Sequence, residues 1–140
     1  MEQLKACYEK YLAEAEVVWK NRPVWDGILG LRSSSKEHPC HTELFKSVEN
    51  WVANFVQSNP TQQQAEEAVT YILEAAEPYR DKFPYWTLYA AHGQARPLIP
   101  LVSPEYAAKT RAWYNKLYPR KDRLPVHQDL FKLLKKQERA

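Results

Sequence analysis

Three glycines in 140 residues, at positions 27, 30 and 93, leave this chain few places to reverse direction between strands. Tight hairpins need residues at positive φ, which glycine adopts at no steric cost. β-Branched residues also rarely alternate with polar ones here, so the strand pattern is missing along with its turns. Helix is the economical solution. The ten prolines support it, because several stand where an apolar 3.6-residue period begins. A proline at the first helical position loses no hydrogen bond, since first-turn amides have no partner within the helix.

The periods give six segments. Residues 2–20 carry Leu4, Tyr8, Tyr11, Ala15 and Val18 on one face, with Glu and Lys opposite. Pro39 opens a second helix to Gln57, with Leu44, Phe45, Val48, Trp51, Val52, Phe55 and Val56 on a broad face. In a third, Asn59 is the expected cap, Pro60 the first position, and Ala65, Ala68, Val69, Ile72 and Ala76 the buried stripe. Residues 81–93 read as a short, mostly apolar helix capped by Asp81, stopped at Gly93 and central to the core. The prolines of residues 94–102 predict an extended connector. Ser103 and Pro104 open a fifth helix with Tyr106, Thr110, Trp113 and Leu117 on one face and Tyr114 beside them. A sixth begins near Pro125, with Val126, Leu130, Leu133 and Leu134 inward. The expected fold is all-α: a single domain spanning residues 1–140, an irregular bundle of five or six helices with main loops at 22–38 and 93–103.

At 44% hydrophobic and 13% aromatic residues the chain has enough apolar material to fold. The N-terminus has charges throughout and no apolar h-region, and no stretch approaches 18 apolar residues. A cytoplasmic protein without membrane contact is expected, with Cys7 and Cys40 as free thiols.

Residues 37–43, EHPCHTE, gather two histidines, a cysteine and two carboxylates. With Pro39 as the first helical residue, His38 is the cap, Cys40 the second position and His41 the third. A helix N-terminus favours a thiolate at Cys40. Yet neighbours on a helix point about 100° apart, which places His41 badly as a base for it. Zinc needs four ligands, and Cys7, His92 and His127 lack the paired spacing that would complete a site. The stretch therefore reads as a helix start whose polar residues cap and meet solvent. No phosphate-cradling glycine loop occurs, and Glu66, Glu67, Glu74 and Glu77 read as a solvated face. Neither enzymatic activity nor a cofactor is expected.

Charge is distributed unevenly. Residues 109–140 hold ten basic and three acidic side chains, a net +7, against −4 over residues 1–108. Lys132, Lys135, Lys136 and Arg139 form one stripe on the last helix. Lys109 and Lys116 lie on the helix before it, with Arg120, Lys121 and Arg123 in the loop between. Clustered cations of this kind can track a phosphate backbone, with Trp113, Tyr114 or Tyr118 stacking on bases, or meet an acidic partner surface. The loop residues Trp25, Ile28, Leu29 and Leu31 form a candidate protein contact, since tryptophan anchors interfaces. The expected function is that of a small non-catalytic helical protein working through macromolecular contacts, with a protein partner or a second copy of itself. The alternative is nucleic-acid binding through the basic C-terminal helices.

Overall fold

The computed structural model describes residues 1–22, 38–80, 82 and 85–140. Among the described residues six α-helices form an all-α bundle: α1 (Glu2–Lys20), α2 (Pro39–Gln57), α3 (Gln62–Glu74), α4 (Thr87–Ala90), α5 (Pro104–Leu117) and α6 (Pro125–Glu138). No strand occurs among the described residues.

The helix starts follow local chemistry. At α2 the His38 side chain accepts the Cys40 N–H at 3.1 Å, with Pro39 behind it. At α5 the Ser103 hydroxyl accepts the Tyr106 N–H and itself donates to Glu66 Oε1 of α3 at 2.8 Å. Glu66 is thus half-buried and ties two helices together, as Glu77 is half-buried, while Glu67 and Glu74 keep to solvent. The expected start of α3 is corrected by two residues. Thr61 caps it, accepting the Gln64 N–H while the Gln64 side chain accepts the Thr61 N–H. This reciprocal pair satisfies two orphan donors and outweighs a proline at the first position. Asn59 instead sits at φ 54°, a left-handed turn that asparagine adopts more readily than most residues.

The largest correction concerns residues 81–103. Asp81 lies outside the described residues, and α4 is a single turn. Gly93 does not end it. The chain continues as a 3-10 helix over Ala91–Leu101, through Gly93, Pro97 and Pro100, where an extended connector was expected. Pro97 and Pro100 lack N–H groups, which interrupts an α-helical ladder. A 3-10 run of this length is uncommon, and burial sustains it. Ala91, Ala95, Leu98 and Ile99 are buried, and the segment packs on α2, α3 and α6. Gly93 serves close approach: a Cβ there would stand 3.2 Å from Val126 Cγ2 of α6.

Around this centre lie Leu4, Tyr8 and Tyr11 of α1, Leu44, Val48 and Val52 of α2, the α3 stripe with Leu73, and Leu130 and Leu134 of α6. Each leucine, isoleucine or valine among them contributes roughly 1.5–3 kcal/mol when fully buried. On α5 the deep face runs one residue from the expected one: Ala107, Thr110 and Tyr114 are buried, while Tyr106, Trp113 and Leu117 sit half-buried at its edge. Among the described residues no helix is long and apolar enough to cross a membrane.

Candidate functional site

One face of the bundle opens into a cleft of about 1250 Å³ between α2, Arg80 and Lys82, Trp86 with α4, the 3-10 helix and the start of α6. Its apolar lining comes from three separate elements. On α2 the period buries Leu44 and Val48 and leaves Phe45, one step around, 36% exposed. Trp86 just before α4 is 43% exposed, and Leu124, the cap of α6, 53%. Among the described residues the large hydrophobic side chains left exposed are these three and Val17. Three of the four thus converge on one concavity.

The polar lining is mixed. Arg80, Lys82 and Arg96 supply cations, with Asp122 and Asp129 against them. Arg96 stands 3.7 Å from Asp129. Arg80 donates to the Leu117 carbonyl and lies over the Tyr118 ring, 5.0 Å from its centroid.

Beneath the cleft lies a buried aromatic cluster. His127 is 2% exposed and stacks on Tyr118, with ring centroids 4.0 Å apart. Its Nδ1 accepts the Leu124 N–H at 3.1 Å, which closes half of a capping box on α6. A neutral imidazole that accepts at Nδ1 carries its proton on Nε2. That proton finds no acceptor among the described residues. The same tautomer denies Nε2 the lone pair a metal ion would need. His92, on the 3-10 helix, is fully buried, with Nδ1 2.8 Å from the Tyr114 hydroxyl of α5 and its ring 6.0 Å from His127. Burial first, and then Arg123 and Arg80, pulls the His127 pKa down to about 4. Burial, with His127 behind it, pulls His92 to about 3.

The EHPCHTE stretch is described from His38 onward. Its cap is the expected one, but Cys40 and His41 turn inward instead of meeting solvent. The His41 Nδ1 stands 2.7 Å from the Thr87 hydroxyl and 3.1 Å from that of Tyr11, so it joins α1, α2 and α4. Cys40 is 2% exposed, and burial, reinforced by Glu14 and Glu43, pushes its thiol up to about 11. Desolvation overrides the helix-terminus effect that favoured a thiolate. Cys7 and Cys40 are both free, and no group of three potential metal ligands occurs among the described residues.

Of the basic residues singled out from sequence, Lys109, Lys116, Arg120, Lys121, Lys132, Lys135, Lys136 and Arg139 are exposed. Among the described residues none of them pairs with an α3 glutamate. Arg123 is committed elsewhere: it lies 3.7 Å over the Phe131 ring and donates to the Tyr118 carbonyl, bracing the α5–α6 corner. Arg111 grips Glu138 through two hydrogen bonds between the same helices. Tyr114 and Tyr118 are buried and offer no ring face for base stacking, while Trp113 is half-buried. Trp25, Ile28, Leu29 and Leu31 lie outside the described residues.

The chain matches no family model, and no curated protein or solved structure is significantly similar to it.

Proposed function

We propose that this protein is a non-catalytic helical module that binds a segment of a partner protein in the cleft of Phe45, Trp86 and Leu124. The observation that carries this reading is the convergence of three of the four exposed large hydrophobic side chains on one concavity. Exposed apolar surface costs solubility, and where it gathers in a groove with a polar rim it marks a contact site. An aromatic anchor such as Trp86, ringed by residues that exclude water, has the make-up of an interface hot spot. The test compares tagged wild-type protein with a Trp86→Ala, Leu124→Ser variant and with a Lys132→Glu, Lys135→Glu, Lys136→Glu variant. A specific partner recovered by the wild type and the charge variant, and lost at least 10-fold by the cleft variant, supports the reading. Equal recovery by all three contradicts it. Sedimentation of the protein alone shows whether that partner is a second copy.

Nucleic-acid binding is the second reading, favoured by the exposure of Lys132, Lys135, Lys136 and Arg139 along one helix. With Tyr114 and Tyr118 buried and Trp113 half-buried, it rests mainly on phosphate contacts, which read no sequence. Fluorescence anisotropy with labelled single- and double-stranded DNA and RNA tests it. Binding that falls steeply with salt and vanishes in the triple charge reversal establishes this surface. Absence of binding at low salt removes it.

A further inference from the structure

We infer that the first turn of α6 is an acid-labile latch on the cleft: a proton taken up at His127 Nδ1 breaks the bond to the Leu124 amide and releases Leu124 from the cleft wall. The latch is a property of the chain itself, and only its effect on a partner rests on the reading of the cleft as a protein contact.

The start of α6 depends on a titratable ring. Leu124 stands at the cap position, where its side chain offers no acceptor, and Pro125 after it has no N–H. The side-chain bond that holds this turn runs from the Leu124 N–H to His127 Nδ1, at 3.1 Å. Residue 127 is the third helical position, where glutamine or glutamate ordinarily reaches back to the cap amide. Glutamine accepts at every pH. Histidine accepts only while Nδ1 is unprotonated, because both nitrogens of an imidazolium are donors. The same turn is cleft wall: Leu124, Pro125, Val126 and His127 all line it.

The surroundings oppose a charge on the ring. His127 is buried and stacks on Tyr118. Facing it are Arg123 from the α5–α6 corner, Arg80 on the Tyr118 ring, Tyr114 and Tyr118 of α5, and His92 of the 3-10 helix. Asp122 and Asp129 line the cleft on either side of the turn, with Asp129 turned to Arg96. Nε2 finds no acceptor among the described residues. A protonated ring held in this place is repelled by Arg123 and Arg80 and makes no bond back to the turn. Moving residues 124–127 outward brings the ring into water and relieves both.

Linkage sets the direction and size. In the opened turn the imidazole titrates near its ordinary value of about 6.5, and in the closed turn it is held down to about 4. The opened form therefore takes up the proton first, and opening becomes about 20-fold more favourable between pH 7 and pH 5.

Amide hydrogen exchange of the full 15N-labelled chain tests this at Leu124 and Gln128, whose N–H groups bond to His127 Nδ1 and to the Leu124 carbonyl. Ile72, buried in α3, reports global unfolding. After correction for intrinsic exchange rates, protection at Leu124 and Gln128 is expected to fall about 20-fold from pH 7 to pH 5 and to stay below that of Ile72 at both. His127→Gln keeps an acceptor at the third position and takes up no proton, so its protection at Leu124 should be the same at the two pH values. Wild-type protection at Leu124 that holds from pH 7 to pH 5, or that equals that of Ile72 at each pH, overturns the inference. So does an equal fall in folded His127→Gln; if that variant does not fold, the wild-type comparison of Leu124 with Ile72 decides. Partner recovery fails separately: if the Trp86→Ala, Leu124→Ser variant keeps its partner while Leu124 exchanges as expected, the cleft reading is lost and the latch stands.

Discussion

Between pH 6.5 and pH 5 the protein should lose about 3 kcal/mol of stability through two histidines that stay neutral in the fold. Free imidazole titrates near 6.5. His92 and His127 are held down to about 3 and about 4. Well above pH 6.5 both states are uncharged at these sites and the pair contributes nothing to the pH dependence. Below it the unfolded chain takes up two protons that the folded chain refuses, and stability falls with a slope approaching about 2.7 kcal/mol per pH unit. The loss continues until the folded histidines themselves protonate, near pH 4 and below. Urea denaturation at half-unit pH steps measures the slope. His92→Gln should reduce it to that of one proton. A flat profile from pH 6.5 to 5 would mean that these rings are hydrated and titrate normally.

Truncating Tyr114 should be the most damaging single change in the α5–α6 half of the bundle. The ring is fully buried and packs edge-on or tilted against His92, Tyr118, His127 and Phe131. Tyr114→Ala deletes the ring and leaves a cavity, a loss of about 3–5 kcal/mol. Tyr114→Phe keeps the packing but leaves His92 Nδ1 without its hydroxyl partner, which costs about 1–3 kcal/mol. A small domain holds only about 5–15 kcal/mol in reserve, so the alanine variant should be partly unfolded at 37 °C and the phenylalanine variant folded. Denaturant midpoints of the two variants measure the difference. Equal losses would mean that the hydrogen bond, not the packing, makes Tyr114 indispensable.

The helix boundaries were legible where one residue type has one use. Pro39, Ser103 with Pro104, and Pro125 each announced a start, and the structure begins its helices there. The start of α3 was missed because Pro60 and the Thr61–Gln64 pair both signal a terminus, and the reciprocal hydrogen bonds outweigh the proline. The 3-10 helix was not legible. Gly93 and two prolines punctuate its sequence as they would a loop, and only packing against three helices holds it as a helix. The cleft escaped for a related reason. Phe45 reads as part of an apolar face, Trp86 as core and Leu124 as loop, and their convergence depends on how α4 and the 3-10 helix fold back between α2 and α6. The buried histidines carried a faint signal: His127 stands three residues after the cap of α6, where a side-chain acceptor completes a capping box. Charge counting grouped the basic residues as a set, and in the structure Arg123 has gone to Phe131 and the Tyr118 carbonyl.

The central claim is that this protein meets its partner through the cleft, and site-specific photocrosslinking tests it most directly. A photoreactive residue is placed at position 86 in the cleft, at 132 on the basic helix, or at 17, the exposed hydrophobic position outside the cleft lining. The account predicts a discrete crosslinked partner from position 86, with little product from 17 or 132, and competition by excess unlabelled protein. Discrete product from position 132 with none from 86 would contradict it and place the contact on the basic face.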